Sequence, residues 1–304
     1  MKFMIRLVIL LIVLGIIFLW MKTVMVWQRQ VVTAEIREDH RRTSITLDSF
    51  LHVQQLRKKR LRQFCRRFPQ LRRVKASDSA EHLLSTMTVS HKLRTLYCKP
   101  PDVSIDGWEE LIQDLERRSE VTLRNVLPIG DNSSSIPDRM VNYNVATLAR
   151  VLRTYTKVLF VGDPLERLVS IYIHGHSGEV SFEEFIEDIL MMETREDGGS
   201  TSSVLHLCYP CFVRYDHIVL LDFLQAEASH VLRRMGVSEA VELPPPIDRQ
   251  MKVTSRWLSQ ELFQALDKEL LQQITELYSW DFTAFPLRNQ LFGNRTLSEN
   301  VKLS

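Results

Sequence analysis

The segment from Lys157 to Tyr172 constrains this chain more than any other. An apolar run with strand character, Val158 to Val161, breaks at Gly162-Asp163-Pro164 and gives way to a stretch with helix character. Arg167 and Ser170 then fall three apart, on one face of that helix. A strand that ends in a turn and hands over to a helix N-terminus is a ready anion site. Free backbone N–H groups and the positive end of the helix dipole converge there.

The remainder of the chain from about residue 80 reads as one α/β domain. Lys92 to Cys98 has strand character, Trp108 to Leu115 and Val145 to Arg153 helix character, and Asp131 to Ser135 is polar and loop-like. Ser181-Phe-Glu-Glu184 is a capping box that opens an amphipathic helix ending near Met192. Thr194 to Ser203 is rich in Gly, Ser and acids, the composition of a mobile loop. Tyr215 to Leu221 reads as a strand, and Gln225 to Met235 as a helix stopped by Gly236. Pro244 to Pro246 break the chain before a long helix from about Ser259 to Tyr278. Strands alternating with helices predict a parallel sheet flanked by helices. No internal repeat is evident.

The N-terminus adds a membrane signal. Lys2 and Arg6 precede an uncharged run from Leu7 to Met21, Lys22 interrupts it, and Thr23 to Trp27 are again mostly apolar. A spanning helix needs about 20 residues. With the Lys22 ammonium snorkelling to the surface, residues 7–27 form a single transmembrane helix, with Trp20 and Trp27 at the interface. The rival reading is a cleaved signal peptide, with Val32-Thr-Ala34 as its cleavage site. Residues 1–6 are then a cytoplasmic tail, 28–79 a basic stem, 80–290 the lumenal domain and 291–304 a C-terminal tail. The stem is the most basic part of the chain, with ten Lys or Arg and no acid between Arg57 and Lys75. It is read as a solvated, charged segment, the alternative being a patch for acidic glycans. The first-helix rule favours a type II orientation, and the sequons at Asn132 and Asn294 agree with a lumenal domain. A formal charge of +2 over 304 residues gives no reason to expect nucleic acid binding.

Four motifs in order now carry a resemblance. The Lys157–Tyr172 segment resembles the 3′-phosphate-binding element of the Golgi carbohydrate sulfotransferases, the group that sulfates chondroitin, dermatan and related glycans. Leu207-Cys-Tyr-Pro-Cys211 with Tyr215-Asp216 is similar to the family's Leu-Cys-x-Pro-Cys-x-x-x-Tyr-Asp segment. Leu277-Tyr-Ser-Trp-Asp-Phe-Thr-Ala-Phe285 is similar to its C-terminal signature. Tyr97-Cys98, Pro101 and Trp108 lie where the family has its 5′-phosphosulfate loop, and Cys65 lies where a stem-proximal cysteine is usual. The likeness covers residues 60 to 290. It implies a sulfotransferase (P-loop-like) fold and 3′-phosphoadenosine 5′-phosphosulfate as donor. It further implies a glycan or glycosaminoglycan acceptor, no metal, and a Golgi membrane location. Carried over by position, Arg167, Ser170, Pro101 and Trp108 are the expected donor-binding residues, and a homo- or hetero-oligomer is compatible with the reading.

The resemblance also exposes what has changed. The family's arginine at the position of Gly162 is gone, and with it a bidentate fork for phosphate. The expected lysine has become Asp102, and a Lys-Arg pair has become Glu109-Glu110. Threonine and asparagine have become Asp106 and Gly107. Gly199 to Thr201 stand where the family has a His-Trp pair. A unit charge about 4 Å away is worth roughly 4 kcal/mol at an effective dielectric near 20, so even one reversal is severe. Lys99 is a candidate to swing in and compensate. Two readings follow: an active sulfotransferase with an altered donor site, or an inactive relative that binds a glycan or partners an active enzyme.

Other constellations carry less. Cys208 and Cys211 have a spacing that suits zinc, redox chemistry or, in an oxidising lumen, disulfides of unassigned connectivity. His174 and His176 read as a surface turn and His217 as a core or edge-strand residue. The phosphate loop of nucleoside triphosphatases is absent from the sequence.

Overall fold

The computed structural model describes Lys22 and residues 45–72, 86–100, 105, 107–118, 138–139, 145–193, 201–238, 241, 243–244 and 249–287. The described residues from Thr46 onward belong to one compact unit. The expected anchor, residues 7–27, lies outside them apart from Lys22, as do Pro101, Asp102, Asp106, Asn132, Asn294 and the 291–304 tail. No helix among the described residues is long and apolar enough to cross a membrane.

The apolar run that opens the key segment forms β4 (Thr156–Val161), with Lys157 to Val161 buried. A strand buried on both faces suits a position between two parallel neighbours. β4 is parallel to β2 (Thr95–Cys98) on one side and to β5 (His217–Leu220) on the other. The sheet is mixed rather than wholly parallel. β1 (Met87–Ser90) pairs antiparallel with β2, and β3 (Asp138–Arg139) antiparallel with β1, giving the order β3-β1-β2-β4-β5. The physical reason is loop length. Only His91 to Arg94 connect β1 to β2, and that turn allows a hairpin but no crossover. The same turn shortens the strand expected from Lys92, which starts at Thr95.

The helices follow their local signals closely. After α1 (Leu47–Arg67) come α2 (Trp108–Arg118), α3 (Val145–Thr154), α4 (Pro164–Gly175), α5 (Phe182–Glu193), α6 (Val204–Leu207) and α7 (Leu224–Arg234). Ser181 and Glu184 close the predicted capping box at 2.8 and 3.2 Å. Gly236, at φ +82°, takes the left-handed conformation that ends α7. The long helix expected over 259–278 is two helices, α8 (Arg249–Ala265) and α9 (Lys268–Leu277), followed by α10 (Ser279–Ala284). The break falls where Asp267 caps α9 by accepting from the Leu270 N–H at 2.8 Å. Helices α4, α5, α8 and α9 share one core around Leu168, Ile186, Phe263 and Ile274.

The basic segment departs most from expectation. Residues 57–67 belong to α1, which packs into the domain with Phe50, Gln54, Arg57, Leu61 and Phe64 buried. The Arg57 guanidinium donates to both Glu227 carboxylate oxygens and to the Ile218 carbonyl, each at 2.7 Å. Arg60 donates to the Phe282 and Thr283 carbonyls, both at 2.8 Å. Cys65 is joined to Cys211, and Cys98 to Cys208, so the Cys-x-x-Cys pair is shared between two disulfides. The solvated reading is therefore corrected for part of this stretch: Arg57, Lys58 and Arg60 have acceptors far away in sequence, while Lys59, Arg62, Arg66 and Arg67 are exposed.

Candidate functional site

Parallel strands β2, β4 and β5 end at one edge of the sheet, and ligands of such folds gather outside those carboxyl ends. Three short segments meet at that edge: Lys99 after β2, Gly162-Asp163 after β4, and Leu221-Asp222 after β5. Helix α4 begins there by local rules. Pro164 occupies its first turn, and the Asp163 carboxylate accepts from the Leu165 N–H at 2.9 Å. The strand–turn–helix of an anion site is thus in place, and the side chains around it decide what it can hold.

They are predominantly acidic. Glu166 lies 3.3 Å from the Arg256 guanidinium, which also bonds Asp222. Burial, and then the neighbouring charges of Glu166 and Asp222, push the Asp163 carboxyl up to about 7, against the pull of two backbone N–H groups. On the β2 side the Lys99 ammonium is held by Glu109 at 2.9 Å. The cation expected to compensate is therefore committed to one of the residues it was to compensate for. Among the described residues, Lys99, Glu109, Asp163, Glu166, Asp222 and Arg256 are four carboxyl groups and two cations.

Gly162 has its own packing. A Cβ built on it would stand 2.8 Å from Leu221 Cδ1, so the Leu221 side chain occupies the space of a longer residue. Gly107, at φ +77°, opens α2, and Pro244 packs against its Cα.

Of the expected donor-binding residues, Arg167, Ser170 and Trp108 are among the described residues. Arg167 is 4% exposed and donates inward to the Thr201 and Ser202 carbonyls at 3.1 and 2.6 Å. The Tyr278 hydroxyl donates to the same Thr201 carbonyl at 2.5 Å, and Asp281 Oδ2 accepts from the Val204 N–H at 3.1 Å. Burial raises the Asp281 carboxyl to about 6, with Arg167 the largest opposing influence. Two of the four motifs therefore meet at one buried polar knot, through Arg167 and through Tyr278 and Asp281. The end of the expected mobile loop, Thr201 to Ser203, is buried within it, and residues 194–200 lie outside the described set. Trp108 is fully buried, 5.1 Å edge-on from Phe160 of β4. Ser170 is half-buried on α4. His174 Nδ1 lies 2.8 Å from the Ser170 carbonyl, which can only accept, so Nδ1 carries the proton. The same nitrogen lies 3.3 Å from Ser170 Oγ. The Tyr215-Asp216 motif is structural too. Tyr215 donates to the Cys208 carbonyl, and Asp216 joins the start of β4 to that of β5 through the Lys157 N–H and ammonium.

Sequence reasoning missed Asp163, Glu166, Asp222 and Arg256 as one group. Asp222 had a usable signal, since it follows directly on a strand whose C-terminal end faces the crevice. Arg256 had none, lying on α8, well removed in sequence.

The fold is thus of the mixed α/β class, a central sheet flanked by helices with a strand–turn–helix at its carboxyl edge. Residues 85–287, about two thirds of the chain, match the model of the sulfotransferase family, and the chain belongs to that family. It is similar to carbohydrate sulfotransferase 11 of Rattus norvegicus, 25% identical over 82% of this chain and 80% of that one. Carbohydrate sulfotransferase 14 of Homo sapiens is 27% identical over 68% of this chain and 62% of its own length. Carbohydrate sulfotransferase 9 of Homo sapiens is 24% identical over 77% and 59%. No solved structure matches.

Proposed function

We propose that this chain is a carbohydrate-sulfotransferase-type protein of the Golgi lumen that binds a glycan without transferring sulfate. In this reading residues 7–27 anchor it in type II orientation, and Asn132 and Asn294 face the lumen. The family's donor, 3′-phosphoadenosine 5′-phosphosulfate, carries several negative charges, and catalysis would require cations on both its phosphates. The carboxyl groups of Asp163, Glu166 and Asp222, clustered at the carboxyl edge of the sheet with Arg256 as their cation, carry the proposal. Replacement of the Lys-Arg pair by Glu109-Glu110, and Lys99 bound to Glu109, support it on the other phosphate. The residues present do not fit the donor, so no transfer step is derived from them.

The second reading is an active transferase moving sulfate from that donor to a glycan hydroxyl. The family match favours it, as does the half-buried Ser170 on α4. Calorimetric titration of the full chain with 3′-phosphoadenosine 5′-phosphate at low salt separates the two. Absence of binding to folded protein is expected, and micromolar affinity would establish the transferase instead. The full chain is needed because a fragment starting at residue 76 lacks Arg57 and Cys65, which tie α1 to the domain.

A further inference from the structure

Helix α1 has two sides of different character. Its buried side carries Phe50, Gln54, Arg57, Leu61, Phe64 and Cys65. At about 100° per residue, Lys59, Arg62 and Arg66 fall within about 60° of one another on the opposite side, with Arg67 at their flank. These cations are all exposed, and none pairs with an acid among the described residues. Lys59 and Arg66 stand about 10 Å apart along the helix axis. The only acid of α1, Asp48 in its first turn, lies about 16 Å along the axis from Lys59. The helix dipole accounts for Arg66 and Arg67 in the last turn, but its influence does not reach Lys59 and Arg62. Solubility alone is served by both signs interspersed, not by a row of one sign.

We propose that the exposed face of α1 is a binding surface for an acidic polysaccharide, a chain bearing sulfate or carboxylate groups along its length. The proposal rests on the glycan-binding reading above and names the surface and the class of glycan. A row of cations at fixed intervals complements a linear chain whose anions also recur at intervals. The guanidinium forks of Arg62 and Arg66 match sulfate and carboxylate oxygens in pairs. The row is held in place before any ligand arrives. The Cys65–Cys211 disulfide and the buried Arg57–Glu227 pair fix α1 to the domain, so binding orders only the side chains. The carboxyl edge of the sheet has the opposite character. Its described carboxyl groups outnumber the cations and repel such a chain, which leaves α1 as the surface of matching sign.

The test is surface plasmon resonance of the full chain over immobilised heparin, chondroitin sulfate and neutral dextran at physiological salt. One variant carries Lys59→Gln, Arg62→Gln and Arg66→Gln together. A control carries Arg150→Gln, Arg153→Gln and Lys268→Gln, which removes the same charge from exposed positions elsewhere. Both keep the parent's unfolding midpoint, since the replaced side chains are exposed. The parent is expected to bind an acidic polymer, the α1 variant about tenfold more weakly and the control within about twofold, at the usual worth of exposed ion pairs. Unchanged binding by the α1 variant, equal loss in both variants, preference for dextran, or silence on both acidic polymers would each overturn the proposal. Capture by phosphatidylserine vesicles in place of the polymers would make α1 a membrane surface and overturn it too. Failure of this surface leaves the glycan-binding reading standing wherever the parent still binds a polysaccharide. The nucleotide titration judges the lack of transfer independently.

Discussion

Gly162 shows how one residue can close a site by more than the charge it lacks. Restoring an arginine there would press its Cβ to 2.8 Å from Leu221 Cδ1 and place a cation among Asp163, Glu166 and Asp222. The clash is with the end of a flexible, half-buried side chain, so it costs about 1 kcal/mol, the low end of overpacking. Gly162→Arg is expected to lower stability by that amount in urea unfolding, and Gly162→Arg with Leu221→Ala to recover part of it. A stabilised single variant would show that Leu221 yields freely. Asp163 gives a pH signature with a definite sign. Its carboxyl, at about 7 in the folded protein against 3.8 as a free side chain, binds more protons folded than unfolded between those values. It therefore lowers stability increasingly as pH rises from about 4 to 7. Asparagine keeps the helix cap without the charge. Asp163→Asn is expected to raise Tm at pH 7.5 and to coincide with the parent near pH 4. A gap that widens toward acid would contradict the assignment. These residues were legible as residue types, and Gly162 stood out as a missing arginine. Its contact with Leu221 was invisible because it is made across the sheet.

At the scale of elements, α1 decides what belongs to the domain. Its Arg57–Glu227 pair is buried on both sides, at 5% and 3% side-chain exposure. Removing one member of such a pair leaves a buried charge and costs about 3–5 kcal/mol. Arg57→Ala is expected to destabilise by that amount in denaturant unfolding, and Arg57→Ala with Glu227→Gln by distinctly less. An effect under 1 kcal/mol for the single variant would mean that α1 docks through its apolar face alone. Sequence reasoning read this helix as solvated because a run of cations shows no sign of its acceptors. Those acceptors are Glu227, the Ile218 carbonyl and the backbone of α10, all more than 150 residues away. Helices with local signals fared better. Ser181 with Glu184, and Gly236, named their ends correctly, whereas the Asp267 cap was passed over inside an amphipathic run. The β1–β2 hairpin was missed because a four-residue strand carries too little periodicity to separate from a loop.

For the whole molecule, the order of motifs along the chain was enough to reach the family, and the knot of Arg167, Thr201, Val204, Tyr278 and Asp281 explains why. In this chain the motifs that carry the likeness are largely architectural: they supply cysteines to two disulfides, residues to a buried polar knot, and Asp216 to fasten two parallel strands. Such features survive when the groups at the carboxyl edge change, because they hold up the core and touch no ligand. The central claim is that this scaffold no longer holds the sulfate donor. It is tested most directly by calorimetry of the full chain with 3′-phosphoadenosine 5′-phosphate at low ionic strength, where screening is weakest. No heat of binding is expected up to millimolar nucleotide, with circular dichroism showing the protein folded. A saturable isotherm in the micromolar range would contradict it.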